Sequence, residues 1–483
     1  MAALDPADVL IELWRDAGLD DDALENVAFT GSEPVLPSSF AVGTAAQATI
    51  GAAALAAAEL WRLRTGRRQQ VSVEMRDAAI EFRSERYLRV DGKDPDDHHD
   101  QIAGLYRCGD GRWARLHTNL PHHRDGLLRL LGCDHNKTAV QRALERWSAE
   151  KLETLAAEAG LVVTACRSFS EWDAHEQGRA VASLPLFIID KIAEAPALHF
   201  APALRPLSAI KVLELTHVIA GPVSGRVLAV HGADVLLVTA AHRPSMLPLV
   251  IDTGRGKLSA QIDLRAPSGR QRLAELVREA DVFIQGYRPG AVAAHGFGPE
   301  EIARLRPGIV YASLSAYGHE GPWALRRGFD SLVQTASGLN LAEAEAFGSS
   351  EPRALPAQAL DHATGYLLAF AIMAALSAAP SRAAPGTCGS RSHKPVTGCA
   401  SSAASTACVA AIPALTKCEI AWTRRRPALV CLPPCATPPK CWKPSRIGRA
   451  RASRLERMRR PGAVERMPRA LATASMLRHI RRE

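Results

Sequence analysis

The sequence lacks long, uncharged apolar runs: the stretches around 41–60 and 365–376 are Ala-rich or too short to span a bilayer. It also lacks a signal-peptide pattern, its first 15 residues being acidic. The chain therefore reads as a cytoplasmic protein without a membrane partner. Asp is absent from residues 379–483, where 21 Lys and Arg face 4 Glu, a local net of +17, so the first 378 residues carry −8 within the overall +9. Length of 483 residues leaves room for two or three domains, and 47% hydrophobic with 23% charged residues excludes collagen-like, coiled-coil and wholly disordered chains.

The basic stretch has little of what its obvious functions need. Seven of the ten cysteines lie in it, but only Cys431 and Cys435 form a zinc-like pair and no second pair follows. Arg424–Arg426 and Arg457–Arg460 offer charge to phosphate, yet only Trp422 and Trp442 are there to stack on bases, so no nucleic-acid partner is expected. An excess of Arg, Ala, Pro, Ser and Cys without Asp is what GC-rich coding DNA yields out of phase. Back-translated with permissible codons and read two bases onward, residues 381–401 and 433–457 both give continuous protein-like text. One base lost after Ser377 accounts for both, and 378–483 is expected to be an aberrant, disordered, frameshifted tail.

Between residues 206 and 376, short apolar runs alternate with helical periodicity. Strands are expected at 210–215, 234–238, 281–285 and 309–314, and helices at 223–230, 268–280 and 299–305. Such alternation means a parallel α/β sheet, with ligands beyond the carboxyl ends of its strands. The polar, Gly-bearing loops 216–222, 286–290 and 315–322 fall at those ends.

Several blocks carry a family resemblance: ELTHVIAGP at 214–222, GRGKLSAQIDLRAPSGR at 254–270, DVFIQGYRPGAVAAHGFG at 281–298, RPGIVYASLSAYGHEGP at 306–322, GFDSLVQTASGL at 328–339 and ALDHATGYLLAFAIMAAL at 359–376. In order and spacing they resemble the family III CoA-transferases, the CaiB/BaiF group that includes formyl-CoA transferase. The resemblance implies a Rossmann-like parallel α/β fold and assigns Asp361 as a nucleophilic carboxylate before a buried helix. A carboxylate at a helix N-terminus is held as the anion by the dipole and free N–H groups, although Asp is also a common N-cap. Also by resemblance, Ile219 and Ala220 contact CoA near the reacting centre, as do Gly286, Tyr287 and Arg288, and Ser315, Ala316, Tyr317 and Gly318. Ile262, Asp263, Leu264 and Arg265 lie nearer its nucleotide.

The activity so implied is acyl-CoA:carboxylate CoA transfer through covalent aspartyl intermediates. Its partners are an acyl-CoA thioester and a small carboxylic acid, with no metal and no permanently bound cofactor. Leu237 and Thr239 stand where the family often has Lys and Glu, and Ala294 or Ser315 near where it has a basic residue. These departures keep a non-catalytic CoA-binding homologue as an alternative. An acyl-CoA racemase of the same fold is the other, disfavoured because Phe329 replaces the His that usually precedes Asp330.

The N-terminal segment resembles part of the same unit: residues 60–82 match the stretch after the catalytic helix and 104–116 a small-domain hairpin. The expected organisation is a degenerate module over 1–204, with Thr44 in the place of Asp361, a catalytic module over 205–377, and the tail. His98, His99, His122 and His123 are read as solvated loop residues. The resemblance further implies a homodimer of interlocked chains, and loss of frame after Ser377 should leave an open sheet edge.

Overall fold

A computed structural model describes residues 5–95, 99–195, 200–378 and 403–409. The main sheet has seven strands: β1 (Ile188–Glu194), β2 (Lys211–Leu215), β3 (Asp234–Thr239), β4 (Leu258–Gln261), β5 (Val282–Gln285), β6 (Val310–Leu314) and β7 (Ala403–Val409). Their spatial order is β1-β7-β6-β5-β2-β3-β4. All neighbours are parallel except the β7/β1 pair. From β4 to β7 this is the doubly wound order 3-2-1-4-5-6, whose topological switch lies between β2 and β5. The loops after those two strands therefore flank a crevice.

Each expected strand is present to within one residue. One helix begins earlier than expected: α2 spans Ala220–Val230, taking in Pro222. A proline in the first turn removes an N–H that has no intrahelical acceptor anyway, so it does not delay the helix. A second difference concerns the sheet edge. The position beyond β6 is filled by β7, drawn from the segment expected to be disordered, so among the described residues β6 is not left open. The remainder of the expected tail lies outside the described residues.

Two long helices form the centre of the core: α1 (Val42–Thr65) and, beyond the short helix α3 (Asp330–Ala336), α4 (Ala359–Ala378). Helix α1 stops at Gly66, whose φ of 71° lets its N–H reach back to the Arg62 carbonyl. Helix α4 is apolar on every face, and residues 359–377 are long and apolar enough to cross a membrane, contrary to the expectation from run length. Residues 359–376 of that stretch are all buried within the protein, against α1 and α2 among others, and Ser377 is half-buried. An all-round apolar helix needs such surroundings. Gly365 sets the spacing: a Cβ there would meet the Ala220 carbonyl oxygen and Val223 Cβ, each at 2.7 Å.

The expected hairpin forms from Gly104–Arg107 and Trp113–Leu116, and Val163–Ala165 adds a third antiparallel strand. Helices Pro121–Leu131, Lys137–Leu144 and Ala149–Glu158 cover it, enclosing a second core around Leu116, Leu127, Leu144 and Leu152.

Candidate active site

At the β2/β5 switch lies a cavity of about 240 Å³. Val218, Ile219 and Ala220 line it from the loop after β2, Gly286, Tyr287 and Arg288 from the loop after β5, and Ser315 and Ala316 from the end of β6. Asp361 is the one carboxylate among the described residues lining it. Tyr317 is not among them. Its ring packs edge-on to Trp323 at 5.1 Å and its carbonyl accepts from Gln177 Nε2 at 2.7 Å, which turns it into the core. Gly318 serves a turn at φ 88° and does not line the cavity. Ile262, Asp263, Leu264 and Arg265 follow β4 and are also outside it. There the Arg265 guanidinium, 2.7 Å from Asp263, holds that carboxyl far below the usual range.

Asp361 is the third residue of α4, inside the first turn rather than before it, and is 7% exposed. The backbone cap is supplied by Asp330, the first residue of α3: its Oδ2 accepts the N–H of Leu360 at 2.9 Å and of Asp361 at 3.1 Å. Gln334 donates to the other oxygen. Burial pushes the Asp330 carboxyl up to about 6, even against these hydrogen bonds.

Asp361 itself departs from the expectation of a dipole-stabilised anion. Burial first, then the negative charges of Asp330 and Glu85, raise its carboxyl well above the usual range. A helix N-terminus contributes about 0.3–2 kcal/mol, and one pKa unit is about 1.4 kcal/mol. Full burial shifts a carboxyl by up to about 3–5 units, so burial wins.

The N-terminal segment buttresses this helix. His362 is fully buried, stacks on Phe82 at 5.5 Å, and its Nε2 lies 3.1 Å from Glu85 Oε2. Tyr366 donates to Glu81 at 3.0 Å, and Arg226 pairs with Glu81 and, at 3.1 Å, with Asp252. In α1, Thr44 is also the third residue, and its N–H donates to Glu33 Oε1 at 2.9 Å as that of Asp361 does to Asp330. The two helices thus begin alike, with a hydroxyl where the other has a carboxyl.

Beneath the loop after β2, Lys257 Nζ lies 2.7 Å from Glu214 Oε2 and donates to the Pro222 carbonyl at 2.7 Å. Thr216 donates to the other Glu214 oxygen at 2.6 Å. Between Thr216 and Pro222 in the same loop, Val218 lies at φ 71°, a conformation that a β-branched residue avoids. The start of α2 has no side-chain cap, so its first N–H groups stay available where Ile219 and Ala220 border the cavity.

His123 corrects an expectation. It is 2% exposed, not solvated, because the helix Pro121–Leu131 turns it toward Phe329, ring centroids 6.2 Å apart, and it lines the cavity. His122 lines the cavity from an exposed position, His99 is exposed, and His98 lies outside the described residues. Asp330, Glu85, His362 and His123 were all missed in the sequence. An Asp at the first position of a short helix was the one local signal among them.

A family model described as CoA-transferase family III matches residues 26–201 and 207–387. The chain belongs to CoA-transferase family III. An acyl-CoA transferase of Gibberella moniliformis is 32% identical over 297 residues, 56% of this chain and 52% of that protein. A succinate–glutarate CoA-transferase of Agrobacterium fabrum is 35% identical over 189 residues, 35% of this chain and 47% of that one. A crystal structure of a CAIB/BAIF family protein from Brucella suis shares 30% identity over 36% of this chain and 49% of that chain, with a TM-score of 0.33. The chain spans about half the length of the curated relatives it matches. As a CoA-transferase family III member it is related to enzymes whose substrates are CoA thioesters, and its α/β fold with a parallel sheet accords with that membership.

Proposed function

We propose that this chain transfers CoA from an acyl-CoA to a carboxylic acid with Asp361 as nucleophile. The observation that carries the reading is the position of Asp361, a lone carboxylate in a cavity at the switch point, on a helix start held by Asp330. Deprotonated Asp361 attacks the thioester carbonyl, forming a mixed anhydride and releasing CoA thiolate. The thiolate then attacks the aspartyl carbonyl, giving an aspartyl-CoA thioester and the free donor acid. The acceptor carboxylate displaces CoA to form a second anhydride, and the thiolate takes the acceptor acyl group, regenerating Asp361. Buried among negative charges, the carboxylate is more basic than a solvated one and the better nucleophile once its proton is lost. The uncapped N–H groups at the start of α2 are suited to the oxyanions of these steps.

Ile219, Ala220, Gly286, Tyr287, Arg288, Ser315 and Ala316 are assigned to CoA beside Asp361, and Ile262, Asp263, Leu264 and Arg265 to the region of its nucleotide. The protein acts in the cytoplasm as a homodimer.

Incubating the chain with an acyl-CoA and treating the trapped adduct with hydroxylamine tests the reading. A hydroxylamine-cleavable acyl group on the Asp361 peptide, absent from Asp361→Ala, is expected. CoA binding without any adduct would leave a non-catalytic CoA-binding homologue.

A further inference from the structure

The N-terminal segment does more than pack against the helix of Asp361. One oxygen of it is bound to two helices at once: Glu81 Oε1 accepts from Tyr366 of α4 at 3.0 Å and from Arg226 of α2. Ser84, just beyond, donates to Asp252 at 2.7 Å and accepts from Arg226 at 3.2 Å. Glu85 pairs with His362, the residue after Asp361. Between them Phe82 stacks on both His362 and Tyr366, with ring centroids 5.5 and 6.2 Å apart. Four successive contacts from one short stretch thus fall on α2, α4 and the helix Leu247–Thr253.

The chemistry of these contacts is an independent observation. The side chains of Arg226, Asp252, His362 and Glu85 are each at most 8% exposed. Holding two parts of a chain together needs no buried ions, because apolar groups of the same volume often do so at equal or lower cost. Charged hydrogen bonds add direction and length, and hence register. Both partners are kept charged. Burial pushes the Glu85 carboxyl up, but the hydrogen bond and charge of His362 outweigh it and hold the group below its usual range. Arg226 is opposed by burial and raised, first of all, by Glu81.

Resting on the transferase reading, we infer that Glu81 and Glu85 are positioning residues that set α4 against α2, so that the carboxylate of Asp361 faces the free N–H groups at the start of α2. Neither lines the cavity, so both act through the helices. Tyr366 is five residues beyond Asp361 and Arg226 six beyond Ala220, which at about 1.5 Å per residue puts the tie about 8–9 Å from each helix start. The close approach at Gly365 fixes how near the helices come, and the Glu81 oxygen fixes how one is turned and slid along the other. The segment that has Thr44 in place of a carboxylate therefore takes part in the reaction of the other.

The test measures kcat and KM with butyryl-CoA and acetate in the full chain and its variants. Tyr366→Phe keeps the ring on Phe82 and removes only the hydroxyl, and Glu81→Ala removes the shared oxygen. In each, kcat should fall about ten- to hundredfold, with KM for butyryl-CoA changed less than about twofold. Glu81→Gln, which keeps an oxygen there, should recover part of the loss, and the double variant should be no worse than Glu81→Ala. Glu85→Gln keeps an acceptor for His362 and leaves the charges of His362, Arg226 and Arg86 around it. It should move the pH midpoint of kcat lower, since Asp361 then faces Asp330 without a second negative charge. An unchanged kcat and midpoint in folded variants, whatever their Tm, or additive losses in the double variant, would overturn the inference. If the unsubstituted chain transfers no CoA, the transferase reading fails by itself. Hydrogen exchange over residues 220–226 and 359–366 then decides the tie: faster exchange in both segments of Glu81→Ala supports it, and a change in one or neither rejects it.

Discussion

Asp330 lies across the start of the helix that carries Asp361, its Oδ2 accepting the Asp361 N–H at 3.1 Å. One acid therefore fixes the backbone of the other and raises its proton affinity. Asp330→Asn keeps the shape and removes the charge. The pH midpoint for transfer should move to lower pH by about one unit, with kcat reduced about tenfold or more from the disturbed helix start. A pH profile of kcat against that of the unsubstituted chain checks both.

The raised carboxyl of Asp361 carries a stability cost. A group whose folded pKa lies above its unfolded value favours folding below the unfolded pKa, and loses that contribution as pH rises through the folded one. Asp361→Asn should therefore raise Tm by about 2–4 °C at pH 8, and by much less at pH 4. Thermal unfolding at the two pH values reads the difference.

Lys257→Met leaves Glu214 buried with Thr216 as its remaining described partner. The loss should be about 3–5 kcal/mol at pH 8. Burial already raises Glu214, so acidification protonates it and part of the loss should be recovered at pH 5. Denaturant midpoints at both pH values measure this.

Gly365→Val places a branched side chain where even a Cβ meets the Ala220 carbonyl at 2.7 Å. The helix bearing Asp361 must then move away from α2. A stability loss of about 1–3 kcal/mol and a larger fall in kcat than in substrate binding are expected from denaturation and steady-state kinetics.

The composition of residues 379–483 predicts a result at the level of DNA. Sequencing across codons 370–390, and translating two bases onward, should give an open frame resembling the family rather than early stops. Restoring that frame should raise soluble yield and transfer activity together.

The alternation of apolar runs and helical periodicity made the sheet legible, because a parallel strand buried on both faces writes itself as a continuous run, as in 310–314. Seven of the thirteen proposed CoA contacts reach the cavity with Asp361, since strand ends fix where those loops emerge. Tyr317 does not reach it because Trp323 and the Gln177 hydrogen bond to its carbonyl hold it in the core, contacts distant in sequence. Glu85, His362 and His123 were illegible for a different reason. Their meaning arises from partners far away in sequence, and no local pattern distinguishes a buried histidine from a solvated one.

The pairing of Glu85 with His362 joins residues 277 positions apart. At about 5–20 residues per second, the ribosome takes about 14–55 s to deliver the second after the first. Throughout that interval the apolar flank of α1 that will meet α4 exists without its partner. Production of this chain is therefore expected to depend on chaperone supply and on the rate of translation, and slowing elongation ahead of α4 should lengthen the exposure.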